Sequence, residues 1–290
     1  MLDKKRGCFY GLAIGDALGA AIEFRMPGEF EPVVGYRGFG PHGLEAGEWT
    51  DDTSMALALA DSLANGFNQE DQLKKYASWF QNGEYSVNGI CFDIGNTTRQ
   101  ALYNFIDYGT LKADDDPANS GNGSIMRLAP VVIKYAGHLV IPYCIESSET
   151  THASSQCTDA CLALGKILES LIMGDTKEQA LNPELFQSTP LCRLVRDVVV
   201  GESYKKGENI RGSGWVVKSL EAALWAFYTS ESFEETVLKA VNLGEDSDTT
   251  GAVAGQLAGA YWGYSGIPQK LIDGLANKEM IDKYLNPILS

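Results

Sequence analysis

Two acidic clusters of nearly the same chemistry lie far apart in the chain, Thr50-Asp51-Asp52-Thr53 and Asp246-Ser247-Asp248-Thr249-Thr250. Each directly precedes a helix-like run of small apolar residues, 54–63 in one case and 251–261 in the other. Adjacent carboxylates repel, so a fold that brings the clusters together needs compensating charge, most simply metal ions. Carboxylate and hydroxyl oxygens with no neighbouring His or Cys suit a hard cation, Mg²⁺ first and Mn²⁺ next. Thr and Asp also cap helix N-termini, where they accept hydrogen bonds from free N–H groups. Capping needs one such residue per helix, not three, and the doubled pattern therefore points to cations. The helix dipole disfavours a cation at an N-terminus, so several carboxylates per site are required to overcome it.

Other constellations are weaker. Gly121-Asn122-Gly123-Ser124 precedes the helix-like Ile125-Met126-Arg127, an arrangement that either turns the chain or offers N–H groups to a phosphate. Asp93 sits among apolar residues in a cap-like stretch before a predicted helix. His152, in Thr151-His152-Ala153-Ser154, opens another and reads as a structural hydrogen-bonding residue or a catalytic one. Cys157 and Cys161 are one helical turn apart near His152, but no fourth ligand for zinc is in view.

The elements that must position these groups are helical. Gly7, Gly11, Gly15 and Gly19 recur every four residues, as do Gly251, Gly255, Gly259 and Gly263. On a helix each set lines one face and lets another backbone approach closely. Glycine costs roughly 1 kcal/mol per helical position relative to alanine, so the stripes imply a packing reason. The expectation is two central helices, packed on each other or each on something else; mutual packing would bring the second acidic cluster toward Asp16 and Glu23. Helical apolar spacing also marks 71–80, 97–106, 158–173, 190–200, 214–228 and 233–243, and no segment shows convincing strand alternation. Segments 24–49 and 114–123, rich in Gly, Pro and Asp, read as surface loops. No linker composition separates the two glycine stripes, so one all-α domain over 1–290 is expected.

The chain has 290 residues, 44% of them hydrophobic and 21% charged, enough for a substantial core. Its net charge of −15 argues against sequence-independent binding to nucleic acid or anionic lipid. Six cysteines show no framework spacing, which suits reduced thiols in a cytoplasmic protein. Lys4-Lys5-Arg6 followed by 7–22 has the outline of a signal peptide, but Asp16 and the glycines favour a buried helix. No run is long enough for a membrane span.

Taken together, the motifs resemble the ADP-ribosylglycohydrolase family. The resemblance rests on 11–19 through Glu23, Trp49-Thr50-Asp51-Asp52-Thr53, Phe92-Asp93-Ile94-Gly95, 121–127, Thr151-His152 and 246–251, in family order over almost the whole chain. It implies a single compact, orthogonal multi-helix all-α domain with two Mg²⁺ ions, or Mn²⁺, in a cleft for ADP-ribose. The implied metal ligands are Thr50, Asp51, Asp52, Asp246, Asp248 and Thr249, and Glu23 matches a catalytic glutamate of some members. Gly121, Asn122, Gly123 and Ser124 would face the diphosphate and distal ribose, with Asp93 and His152 lining the pocket. Ala118-Asn119-Ser120 stands where serine-specific relatives carry an aromatic, so that specificity is not transferred.

The implied activity is hydrolysis of the bond between ADP-ribose and an acceptor, foremost an arginine on a modified protein, by a monomer that releases ADP-ribose. Water attacks the anomeric carbon as an oxocarbenium-like state develops, with Asp51 or Asp52 activating the water and Glu23 as acid or base. The alternatives are another ADP-ribose conjugate (serine, nucleic-acid base or small molecule), a two-metal nucleotide phosphohydrolase, and a non-enzymatic, immunity-like binder of an ADP-ribosyltransferase.

Overall fold

A computed structural model describes residues 1–138 and 140–289, which fold into helices joined by irregular loops. In chain order the helices are α1 (Leu2–Gly19), α2 (Asp51–Leu63), α3 (Gln69–Asn82), α4 (Asn96–Tyr108), α5 (Ala129–Tyr135), α6 (Val140–Glu149), α7 (Ser155–Met173), α8 (Lys177–Ala180), α9 (Arg193–Val199), α10 (Ser203–Lys206), α11 (Val216–Tyr228), α12 (Phe233–Val241), α13 (Ser247–Trp262), α14 (Gln269–Gly274) and α15 (Lys278–Leu285). Among the described residues β-pairing is limited to two isolated bridges, Phe39 with Leu44 and Gly121 with Trp215.

The two glycine stripes face each other. Gly7 meets Gly259, Gly11 meets Gly255 and Gly15 meets Gly251, so α1 and α13 run antiparallel with backbones in contact. A Cβ at any of these positions would overlap the carbonyl of the opposing glycine, which is the packing reason for six weak helix formers. The second stripe is one residue shorter than its spacing suggests. Gly263 follows the last turn of α13 at φ 76°, a left-handed stop that side chains resist. The basic N-terminal segment is part of α1, where Lys5 is buried and Arg6 pairs with Asp282.

Around this pair pack α12 and α11 on α13, α2 on α3 and α5, and α6 on α7. Apolar spacing located α3, α4, α7, α9, α11 and α12, with ends displaced by a few residues. It did not reveal α5, α6, α14 or α15, which are short or have a proline at or near their start. Segment 24–49 is more than a surface loop, because Val33, Leu44 and Trp49 are buried in the core. No helix among the described residues is long and apolar enough to cross a membrane.

Candidate active site

The antiparallel contact fixes where the acidic motifs go. At its end α1 delivers Asp16 and then Glu23, while α13 begins with Asp246–Thr249 beside Gly19. Ser247 Oγ donates to the Gly19 carbonyl at 2.9 Å, which ties that junction. Helix α2 brings Thr50, Asp51 and Asp52 to the same place. Thr50 Oγ1 lies 3.1 Å from Asp248 Oδ2, and Thr249 Oγ1 donates to Asp52 Oδ2 at 3.3 Å. Each motif thus reaches a carboxylate of the other.

Neither motif caps its own helix with a side chain, although Thr50 and Asp246 occupy the N-cap positions. Asp16 does that work for α2. Its two oxygens accept the backbone N–H groups of Thr50 and Thr53, at 2.9 and 3.0 Å, and the hydroxyls of both residues. Capping from another helix leaves Asp51 and Asp52 free to face the cluster.

Burial then makes the cluster electrostatically unsatisfied. Asp51, Asp52 and Asp248 are pushed well above the usual carboxylate range, first by desolvation and then by one another and the neighbouring acids. Asp16 is pushed up to about 6 by burial, against four hydrogen bonds that favour its charge. Among the described residues no Lys or Arg pairs with Asp16, Asp51, Asp52, Asp246 or Asp248. Asp52 Oδ1 and Asp248 Oδ1 are buried without a hydrogen-bond partner. Three-carboxylate sets, such as Asp16-Asp52-Asp248 and Glu23-Asp246-Asp248, have oxygens within 4.8 Å of one another. Orphaned, mutually repelling, all-oxygen donors fit a divalent cation.

Above the cluster opens a cleft of about 690 Å³, lined by Glu23, Asp51, Asp93, Asp246, Asp248 and Thr249. Gly121, Asn122, Gly123 and His152 line it as well. Asn122 donates to Asp246 Oδ2 at 2.8 Å, which joins the glycine-rich turn to the acidic floor. A Cβ at Gly123 would lie 2.7 Å from His152 Cε1, so glycine there lets the imidazole reach the cleft wall. The helix expected directly after Ser124 does not form. The Asn122 carbonyl accepts from both Ile125 and Met126 in a turn, and α5 starts only at Ala129. Ser124 also departs from expectation, since its side chain is buried away from the cleft and accepts from the Cys161 thiol.

His152 has a defined protonation. Buried Arg127 donates to Thr151 Oγ1, which in turn lies 2.8 Å from His152 Nδ1 and fixes the ring. Burial, with Arg127 adding to it, pushes His152 down to about 3, so the imidazole is neutral at physiological pH.

Asp16, His42 and the cleft-lining Glu245 escaped the sequence reading as site members. Asp16 was visible only as a neighbour of the second cluster. His42, placed in a supposed surface loop, lies with Nε2 2.6 Å from Glu23 Oε2 and 3.3 Å from Asp93 Oδ2. The one available signal was a titratable residue between Pro41 and Gly43, at a tight turn shortly before the first acidic motif. Burial disfavours the charged imidazole, but its hydrogen bonds to Asp93 and Glu23 prevail and push His42 up to about 10. Glu23 is pushed up to about 8 by burial and by Asp93 and Asp246, with His42 opposing.

The sequence profile of the ADP-ribosylglycohydrolase family matches residues 1–289. A protein of Serratia proteamaculans named ADP-ribosylarginine hydrolase Tri1 is 41% identical over 97% of this chain and 77% of its own. The ADP-ribosyl-[dinitrogen reductase] glycohydrolase of Rhodospirillum rubrum is 32% identical over 95% and 91%. A solved structure titled ADP-ribosylglycohydrolase-related protein complex superimposes with a TM-score of 0.90 at 38% identity, covering 99% of this chain and 97% of that one. Matched from end to end in sequence and backbone, the chain belongs to the ADP-ribosylglycohydrolase family.

Proposed function

We propose that this protein, acting as one domain over 1–290, hydrolyses the bond between ADP-ribose and an arginine side chain of a modified protein. The observation that carries the reading is the convergence of Asp51, Asp52, Asp246 and Asp248 beneath a cleft that also exposes Glu23. The names of relatives at 41% and 32% identity support the reaction, and the former supports arginine as acceptor. Electrostatics agree, because a cleft walled by Asp93 and Glu245 attracts a guanidinium.

Thr50, Asp51, Asp52, Asp246, Asp248 and Thr249 would hold Mg²⁺, with Asp16 anchoring the set from below. When bound, the cations offset the buried negative charge and act as Lewis acids toward oxygen. The diphosphate meets the Gly121–Gly123 turn, and the neutral His152 donates from Nε2 to a phosphate or ribose oxygen. Asp51, at the cleft surface, takes a proton from the attacking water. The water oxygen bonds to the anomeric carbon, and the electron pair of the broken carbon–nitrogen bond stays with the guanidine. Glu23 passes that nitrogen a proton. The test is incubation with arginine-, serine- and nucleic-acid-linked ADP-ribose, with and without Mg²⁺, followed by product identification. Release of intact ADP-ribose from the arginine conjugate alone is expected; phosphate or AMP as product refutes the reading.

A further inference from the structure

We infer that His42 is a positioning residue for this hydrolysis: its imidazole clamps Glu23 and Asp93 together and holds the Glu23 carboxylate toward the cleft. The inference rests on the reading above for the role of Glu23. Three separate segments converge on the ring. Glu23 follows α1, Asp93 belongs to the stretch before α4, and His42 comes from the loop between α1 and α2. The oxygens of Glu23 and Asp93 and the His42 nitrogen all lie within 4.8 Å of one another. Both carboxylates approach one nitrogen, Nε2, so its single N–H is shared between them. Without it, the shared N–H that ties the two carboxyl groups to one point of the cleft wall is lost.

The backbone is shaped for that delivery. Phe39 and Leu44 exchange hydrogen bonds of 2.5 and 3.1 Å, closing a turn that carries His42 between Gly40 and Gly43. Both glycines have left-handed φ, 66° and 67°. A Cβ at Gly40 would lie 2.6 Å from Ala21 Cα, so the turn is seated on the segment that leads to Glu23. Asp93 and Phe24 also take left-handed φ, 60° and 63°, a conformation costly for residues other than glycine. The rings of Phe92 and Phe24 flank the imidazole, with centroids at 5.4 and 6.1 Å. A group merely tying a loop down would not need unfavourable backbone on both of its partners' segments.

The test compares the full chain with its His42→Ala and His42→Gln variants, all in Mg²⁺, on an ADP-ribosyl-arginine peptide. His42→Ala should lower kcat by about ten- to a hundredfold, the usual effect of releasing a residue that orients a catalytic group. KM, the affinity for ADP-ribose measured by calorimetry, and Tm should change little. His42→Gln, whose amide can donate to both carboxylates, should recover much of the loss. A crystal structure of His42→Ala should show Glu23 turned away from Asp93. Unchanged kcat overturns the inference, as does a loss matched by weaker ADP-ribose binding or lower Tm. If wild type cleaves none of the conjugates, the proposed function falls instead, and the crystal structure judges the clamp alone: Glu23 and Asp93 still together in His42→Ala refutes it.

Discussion

At the scale of single residues, two buried groups make opposite demands on the solvent. His152 is held neutral, with its folded value near 3 against about 6.5 in an unfolded chain. Between those values the unfolded chain binds a proton that the folded one refuses, so the stability this residue confers is complete above pH 6.5 and drains away as the pH falls toward 3. Lowering the pH from 7 to 5 should cost about 2 kcal/mol through this group alone. Urea titrations of wild type and His152→Gln at both pH values check this; an equal loss in the two proteins refutes it. Asp248 makes the other demand, since it is buried, orphaned on one oxygen and surrounded by like charge. In chelator Asp248→Asn should match or exceed wild type in Tm, because one repelling charge is gone. Mg²⁺ should raise the Tm of wild type but leave the variant unmoved and inactive. Calorimetry showing wild-type Mg²⁺ affinity in Asp248→Asn counts against that residue as a ligand.

At the scale of elements, the glycine contact between α1 and α13 sets the separation of the acidic motifs. Gly255→Ala should lower stability by about 1–3 kcal/mol or more, because the new methyl meets the Gly11 carbonyl and the helices must part. Mg²⁺ affinity should fall with it, since Asp248 rides on α13. Gly35→Ala, where nothing lies within 4 Å, serves as the control and should change neither. A Gly255→Ala protein with the Tm of wild type would place the stripe outside the tight contact. This part of the architecture was legible because a four-residue repeat of glycine has few uses in a helix besides close approach. The acidic motifs were legible because their oxygens outnumber what capping needs. The capping role of Asp16 was not, since an aspartate midway along one helix carries no local sign that it serves another. His42 was hidden for the same reason: its partners lie before and after it on other segments, and only the folded turn brings them together. Ser124 misled because a small polar residue beside Gly-Asn-Gly reads alike whether it faces the cleft or Cys161.

At the scale of the whole molecule, an acidic chain of net charge −15 must admit an anionic diphosphate. Free ADP-ribose should therefore raise the Tm only when Mg²⁺ is present, by the equivalent of about 2.7 kcal/mol at a hundred times its Kd. Stabilisation of equal size in chelator would show that protein groups alone suffice for the anion. Gly123→Val, which crowds His152, should weaken that response while Mg²⁺ still binds. The junction of Ser247 with Gly19 carries a further consequence, for synthesis on the ribosome. Its partners are 228 residues apart in the chain. At 5–20 residues per second, α1 waits on the order of 10–50 s for α13 to emerge. Throughout that interval its glycine face has no partner, and the first acidic motif stands without the second. Until α13 emerges, the first acidic motif lacks the carboxylates of the second, and the arrival of that one helix completes the glycine contact and the acidic floor in one event.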